Sequence, residues 1–150
     1  MTEPTALAKE AVMEWKLELI VLPVEDVDRA KHFYAEELGF KLEVDYQPNE
    51  DFRVVQLTPN GSRCSIALMR NKDAGGPVKG LQLMVTDIDA ARAELVDRSI
   101  EVSEVFHFED GRQLSGPDPK RADYNSFASF SDPDGNQWLV QERKKDPYEN

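Results

Sequence analysis

The chain has 150 residues, 40% hydrophobic and 31% charged, which is typical of one soluble globular domain or two small fused modules. Its 18 basic and 29 acidic residues give a formal net charge of −11, which argues against nucleic acid as a partner and favours a cationic small ligand. No apolar run approaches the roughly 20 residues of a membrane helix, and the single cysteine excludes an intramolecular disulfide and fits a reducing compartment.

The chain begins with MTEPTALAKEAVMEW, which carries charges and lacks the apolar core of a secretory signal. We therefore expect a cytoplasmic protein with a flexible extension over residues 1–14, and either Met1 or Met13 as the native start. One domain is expected over residues 15–143, followed by a polar tail over 144–150.

The first half of the chain predicts one strand, one helix and three further strands. LIVLPV is followed by a helix that starts after Asp26, whose carboxylate can accept the first free backbone N–H groups, and that ends at Gly39. The runs FKLEVDY, DFRVVQLT and CSIALM then predict three strands, with an Asn60-Gly61 turn between the last two.

The second half repeats this plan. Sliding residues 19–38 by 61 positions onto residues 80–99 aligns apolar with apolar positions and places Asp26 on Asp87. The runs IEVSEVF, YNSFASF and QWLVQER predict three more strands, with the turn DPDG before the last. We expect an α+β protein of two βαβββ modules, about 15–70 and 80–143, joined by a polar linker over 71–79.

Three segments carry a resemblance to a known family: VLPVEDVDRAKHFYAEELGF at 21–40, LMVTDIDAARAEL at 83–95, and DPDGNQWLVQE at 132–142. They resemble the vicinal oxygen chelate superfamily, which comprises glyoxalases, bleomycin-resistance proteins and ring-cleaving dioxygenases. The resemblance covers roughly residues 16–143. It implies that the two modules form an open, cup-shaped, eight-stranded mixed sheet with helices on its convex face.

The resemblance also implies four metal-ligand positions, which this chain fills with residues that bind metals poorly. The positions seven residues before the two helix-capping aspartates are Leu19 and Gly80, and the position seven residues after the first Asp of DPDG is Leu139. The fourth strand offers Ala67, or Ser65 with a two-residue slip. Because divalent cations need converging His, Asp, Glu or Cys donors, we expect neither a metal nor another cofactor.

The expected interior of the cup is apolar with a few amides, which favours a neutral or aromatic organic ligand. Tyr124 ends a polar stretch over 109–125 that predicts either a lid over the ligand or a disordered loop tip. Side-chain alternation along the strands predicts the remaining ligand-binding residues: Leu19, Val21, Ala67, Met69, Gln82, Met84, Leu139 and Gln141.

Candidates for acid–base chemistry are few. His107 and Glu109 alternate on one side of a predicted strand, so they could act together, although a plain polar role at a strand end is the alternative. Three functions remain open: a metal-free protein that sequesters a small organic molecule; an enzyme, either a metal-free isomerase or lyase or a metal enzyme with displaced ligands; and a scaffold without a ligand. We expect a homodimer, because open sheet edges need cover.

Overall fold

A computed structural model of the protein describes residues 13–70, 77–146 and 148. Most of the expected N-terminal extension and most of the expected linker lie outside these described residues, as does part of the expected C-terminal tail. No helix among the described residues is both long enough and apolar enough to cross a bilayer.

The first module forms a four-stranded sheet in the order β1-β4-β3-β2, in which only the β1–β4 pair is parallel. The Asp26 carboxylate accepts a 3.1 Å bond from the Arg29 backbone N–H and so caps the helix, and Gly39 ends it with a φ of +82°. Both features confirm the sequence prediction. The elements are β1 (Leu19–Val24), α1 (Val27–Lys31) with its π-helical continuation (His32–Glu37), β2 (Lys41–Asn49), β3 (Phe52–Thr58) and β4 (Ser65–Arg70).

The second module forms a five-stranded sheet in the order β5-β9-β8-β6-β7, with β5 and β9 parallel. Asp87 caps its helix as predicted, since its carboxylate accepts a 3.1 Å bond from the Ala90 backbone N–H. The elements are β5 (Leu81–Val85), α2 (Ile88–Asp97), β6 (Phe106–Glu109), β7 (Arg112–Ser115), β8 (Phe127–Ser131) and β9 (Gln137–Glu142).

The α+β class and the repeated module are confirmed, while the strand count differs from the expectation. The described residues form nine strands in two sheets, rather than eight strands in one sheet. The additional strand is β7, which lies in the stretch expected to be a lid or loop. Asp110 and Gly111 adopt positive φ angles of 52° and 77° there, and this tight turn folds the chain back onto β6. The predicted strand IEVSEVF contributes one bridge, from Val102 to Phe130, before β6 begins.

One core joins both modules. Leu22 and Val24 of β1 and Trp138 and Val140 of β9 are buried on the helix side of their sheets, as side-chain alternation predicted. The Tyr34 ring lies 6.0 Å from the Trp138 ring, so the first module's helix packs against the second module's strand.

Arg53 on β3 turns towards α1. Its guanidinium lies 2.7 Å from the Asp28 carboxylate on that helix and 2.9 Å from the Asp45 carboxylate on β2. The hydrogen bonds from Arg53, and next that from Lys31, hold the pKa of Asp45 far below its usual range. Arg53 therefore links the helix to the sheet through these ion pairs. The opposite face of β3 carries no cation.

Candidate functional site

Each sheet has a face turned away from the core, which we call its open face. On the first sheet, Leu19 lies beside Ser65, and Val21 lies beside Ala67. Met69 continues this row on β4, opposite Pro23. The structure therefore brings Leu19, Val21, Ala67 and Met69 together as one apolar strip, in which Val21 is 47% exposed.

The open face of the second sheet gathers the other strand residues expected to bind ligand. Gln82 lies beside Leu139 and Met84 beside Gln141 in the β5–β9 register. Gln141 in turn lies beside Phe127 of β8. An amide and a flexible apolar side chain thus adjoin each other twice across this pair of strands.

Three phenylalanines extend this second open face. The Phe106 and Phe127 rings stack with centroids 5.5 Å apart, and the Phe108 ring meets Phe127 edge-on at 5.6 Å. Phe108 is 42% exposed, so this cluster presents an accessible aromatic edge. Sequence reasoning missed the cluster. The tight turn before β9 is the feature from which the cluster could have been predicted. This turn sets Phe130 opposite Trp138, and side-chain alternation then turns Phe127 to the other face.

The second open face is neutral throughout the described strands. Phenylalanine, leucine, methionine, glutamine and serine are the residue types that strand alternation places there. Such a surface can stack on an aromatic ring and hydrogen-bond its polar substituents, but it supplies no general acid or base. The residues are Gln82, Met84, Phe106, Phe108, Gln113, Ser115, Phe127, Ser129, Ser131, Gln137, Leu139 and Gln141.

Tyr124 lies beside this face in a constrained backbone. Its carbonyl accepts a 3.1 Å bond from the Gln141 side-chain amide, and its N–H donates a 2.9 Å bond to the carbonyl of Glu142. Tyr124 has a φ of 70°, which is uncommon for a residue with a Cβ. Its ring is exposed, and the Arg143 guanidinium lies 5.5 Å from the ring centroid.

An ion pair with a buried carboxylate anchors the segment that carries Tyr124. Arg121 forks onto Glu142 with bonds of 2.8 and 3.1 Å, and Glu142 is 1% exposed. The Glu142 carboxylate also accepts a 3.0 Å bond from the Ile88 N–H at the start of α2. The Arg121 hydrogen bonds hold the pKa of Glu142 below its usual range, although burial opposes that shift. Sequence reasoning missed this pair, since its partners lie 21 positions apart in irregular structure and a strand end.

His107 and Glu109 lie on the face opposite Phe106. His107 is 4% exposed, and its Nδ1 lies 2.7 Å from the Gly116 carbonyl oxygen, so Nδ1 carries the proton and donates it. Nε2 lies 3.4 Å from the Glu109 carboxylate. The two side chains share one side of β6, as the alternation predicted, but the structure does not bring them to the open face.

The positions that the family resemblance assigns to a metal do not fit one. Leu19 lies opposite Ser65, and Leu139 lies opposite Gln82, so the strands meet there without a carboxylate or imidazole. Gly80 has no side chain. Across the described residues, no three His, Cys, Asp or Glu side chains converge on a point where they could hold a metal ion. A divalent cation needs such converging donors.

Comparison with known proteins places this architecture in a family. The sequence profile described as Glyoxalase/Bleomycin resistance protein/Dioxygenase superfamily matches residues 16–140. The crystal structure of TnmS3, an antibiotic binding protein from Streptomyces sp. CB03234, shares 32% sequence identity, covers 87% of this chain and 98% of its own, and has a TM-score of 0.66.

Two further proteins are similar to this chain. A superfamily member from Sphaerobacter thermophilus is 27% identical, with coverage of 88% of this chain and all of its own and a TM-score of 0.68. YetH of Bacillus subtilis, an uncharacterised protein, is 23% identical over 127 residues, which are 82% of this chain and 94% of YetH. The profile match spans most of the sequence and both modules, and the chain therefore belongs to the glyoxalase/bleomycin resistance protein/dioxygenase superfamily.

Proposed function

We propose that this protein binds a flat aromatic organic molecule, uncharged or cationic, and holds it without transforming it. The observation that carries the proposal is the neutral open face of the second sheet, where the phenylalanine cluster adjoins the Gln141 amide. This face offers stacking and hydrogen bonding together, and strand alternation places no acid or base on it.

The chemistry of the face selects among ligand classes. An aromatic ring that stacks on Phe108 gains about 0.5–1.5 kcal/mol beyond its area burial. Gln82 and Gln141 can orient polar substituents through their amides. A carboxylate placed against these strands would lose its hydration without gaining a cation from them, which is strongly unfavourable. The net charge of −11 also attracts cations and repels anions over a longer range.

We include the remaining predicted ligand-binding residues in the proposed site. The apolar strip of the first sheet, made of Leu19, Val21, Ala67 and Met69, supplies a second surface for apolar area. Tyr124 supplies an aromatic ring at the edge, and its backbone hydrogen bonds to Gln141 and Glu142, at the C-terminal end of β9, limit how far it can move. A ring that is already ordered costs less entropy when a ligand binds.

A comparison also supports binding over catalysis. TnmS3, which is 32% identical over most of both chains, is an antibiotic binding protein. That agreement fits a face whose strand residues stack and hydrogen-bond but include no acid or base.

The test is a ligand panel measured by thermal shift and by calorimetry. Flat polycyclic aromatic compounds should raise the melting temperature and bind with measurable heat, while small α-keto acids should do neither. Mass spectrometry of the recovered compound should show it unchanged. Stabilisation by keto acids alone would overturn the proposed ligand class, and a chemically altered compound would establish an enzyme instead.

A further inference from the structure

Phe108 carries the exposed ring of the phenylalanine cluster, and its backbone lies just beyond the end of β8. The strands β6 and β8 pair at Phe106 and Phe127, and Phe127 is the first residue of β8. Continuing this antiparallel register by two residues sets position 125 opposite Phe108, where the chain is no longer a strand. The group that bonds the Phe108 peptide on that side therefore comes from outside the sheet.

The side chain of Asn125 takes the place of the missing strand. Its Oδ1 accepts a 3.1 Å bond from the Phe108 backbone N–H, and its Nδ2 donates a 3.0 Å bond to the Phe108 carbonyl. A side-chain amide carries the same donor and acceptor as a peptide group, so it makes both of the bonds that a partner strand would make. A carboxylate at this position would offer acceptors alone.

The segment that carries Asn125 is itself held on both sides of this residue. Before it, the Tyr124 N–H donates a 2.9 Å bond to the carbonyl of Glu142 at the end of β9. After it, the hydroxyl of Ser126, which is fully buried, accepts a 2.9 Å bond from the Asp118 N–H. The Asn125 amide therefore projects towards Phe108 from a fixed backbone.

We propose that Asn125 is a positioning residue for the aromatic ligand. Its amide holds the Phe108 peptide, so that the Phe108 ring stays edge-on to Phe127, with centroids 5.6 Å apart, and accessible to the ligand. Asn125 acts through Phe108 and needs no contact with the ligand. This inference rests on the proposed function, because it concerns the same open face.

The amide provides order before the ligand arrives. The strand β6 also pairs with β7, where Phe108 lies opposite Gln113, but β7 is the edge strand of its sheet. The β6–β7 hairpin alone would leave Phe108 free to shift with that edge. A ring that is fixed in advance costs less entropy when a ligand stacks on it, so the ligand binds more tightly.

Calorimetry on single variants tests the effect on affinity. The ligand panel begins with proflavine, a flat cationic dye, and the member that stabilises the parent protein most is the probe. Asn125→Ala should raise the dissociation constant of this probe about threefold to tenfold, because the stacking ring is no longer ordered beforehand. Asn49→Ala is the matched control and should leave the constant unchanged. The Asn49 side chain also bonds a backbone N–H, that of Asp51 at 2.8 Å, but in the first module.

A double-mutant cycle separates positioning from a general structural role. In a Phe108→Ala background, Asn125→Ala should raise the dissociation constant by less than about twofold, because the ring that it positions is already absent. Hydrogen exchange of the Phe108 amide, measured without ligand, should accelerate in Asn125→Ala, while exchange in the core strands stays slow. Asn125→Asp keeps the acceptor for the Phe108 N–H and removes the donor, and it takes the same place in the cycle if Asn125→Ala does not fold.

The outcomes distinguish this inference from the proposed function. Parent-like affinity in Asn125→Ala, or additive effects of Asn125→Ala and Phe108→Ala, would overturn the positioning role and leave the proposed function standing. A parent protein that binds no member of the panel would overturn the proposed function, and this inference with it.

Discussion

The hydroxyl of Tyr34 on the first module's helix donates a buried 2.6 Å hydrogen bond to the Asp132 carboxylate in the second module's β8–β9 turn. The same hydroxyl accepts a 2.9 Å bond from the Trp138 indole N–H. Asp132 further accepts bonds from the Asn136 backbone and side chain. Burial, together with the nearby Asp132 charge, raises the pKa of Tyr34 far above its usual range. One tyrosine therefore connects the helix of one module to the turn of the other.

Replacing Tyr34 with Phe should destabilise the protein by about 1–3 kcal/mol, because a buried carboxylate and a buried indole N–H each lose a partner. Urea unfolding followed by tryptophan fluorescence measures the change. Tyr46→Phe is the matched control, since Tyr46 is 56% exposed, and surface changes stay within about 0.5 kcal/mol. Equal stability of the two variants would show that the Tyr34 bond makes no net contribution.

The parts of the fold that could be predicted depend on neighbours in sequence. Asp26 and Asp87 cap their helices through backbone N–H groups three positions ahead, and the Asp132–Gly135 turn closes through its own backbone. Such features follow from residue type and short spacing. The repeated order of apolar strand, aspartate and helix then predicted the two βαβββ modules.

The parts that escaped prediction depend on pairs distant in sequence. Arg121 reaches the buried carboxylate of Glu142, and neither residue signals its partner through local spacing. Phe106 and Phe127 stack because β6 and β8 meet at that one pair. No local spacing indicates that the register turns both rings to the open face. A site built on tertiary register is therefore harder to predict than the scaffold that carries it.

Acid should weaken the anchor of the Tyr124 segment. The Glu142 pKa is lowered in the folded protein, so its stabilising contribution is complete above the unfolded value of about 4.3 and is lost as pH falls from there towards the folded value. Glu142→Gln should destabilise the protein by about 1–3 kcal/mol at pH 7, and its further loss of stability below pH of about 4.3 should be smaller than that of the parent.

Urea unfolding between neutral and acidic pH checks this difference. Glu104→Gln is the control, because Glu104 also pairs with an arginine, Arg92 at 3.5 Å, but its side chain is 88% exposed. It should follow the parent at every pH. Acid sensitivity that persists unchanged in Glu142→Gln would instead assign it to other carboxylates, such as Asp45 with its lowered pKa.

Removing the exposed ring of the aromatic cluster should weaken ligand binding with little effect on folding. Phe108→Ala removes stacking area from a residue that is 42% exposed, so we expect the dissociation constant of a bound flat aromatic compound to rise about tenfold. Calorimetry measures the affinity, and a melting curve without ligand monitors the fold. Phe52→Ala, at a similarly exposed ring on the first sheet, is the control. A greater loss of affinity in Phe52→Ala than in Phe108→Ala would show that the ligand binds the first sheet instead.

Chelation should leave the protein unchanged. Metal affinity comes from converging deprotonated donors, and groups around them only tune it. Leu19, Leu139 and Ala67 provide no donor at the family's ligand positions, and Gln82 binds a transition metal weakly without a carboxylate or imidazole beside it. EDTA should therefore not lower the melting temperature, and elemental analysis of purified protein should find far less than one metal per chain. The contrary result would be stoichiometric zinc, nickel, manganese or iron that is lost, together with stability, when His107 is replaced. That result would place a metal centre on the other face of β6 and favour an enzyme over a binding protein.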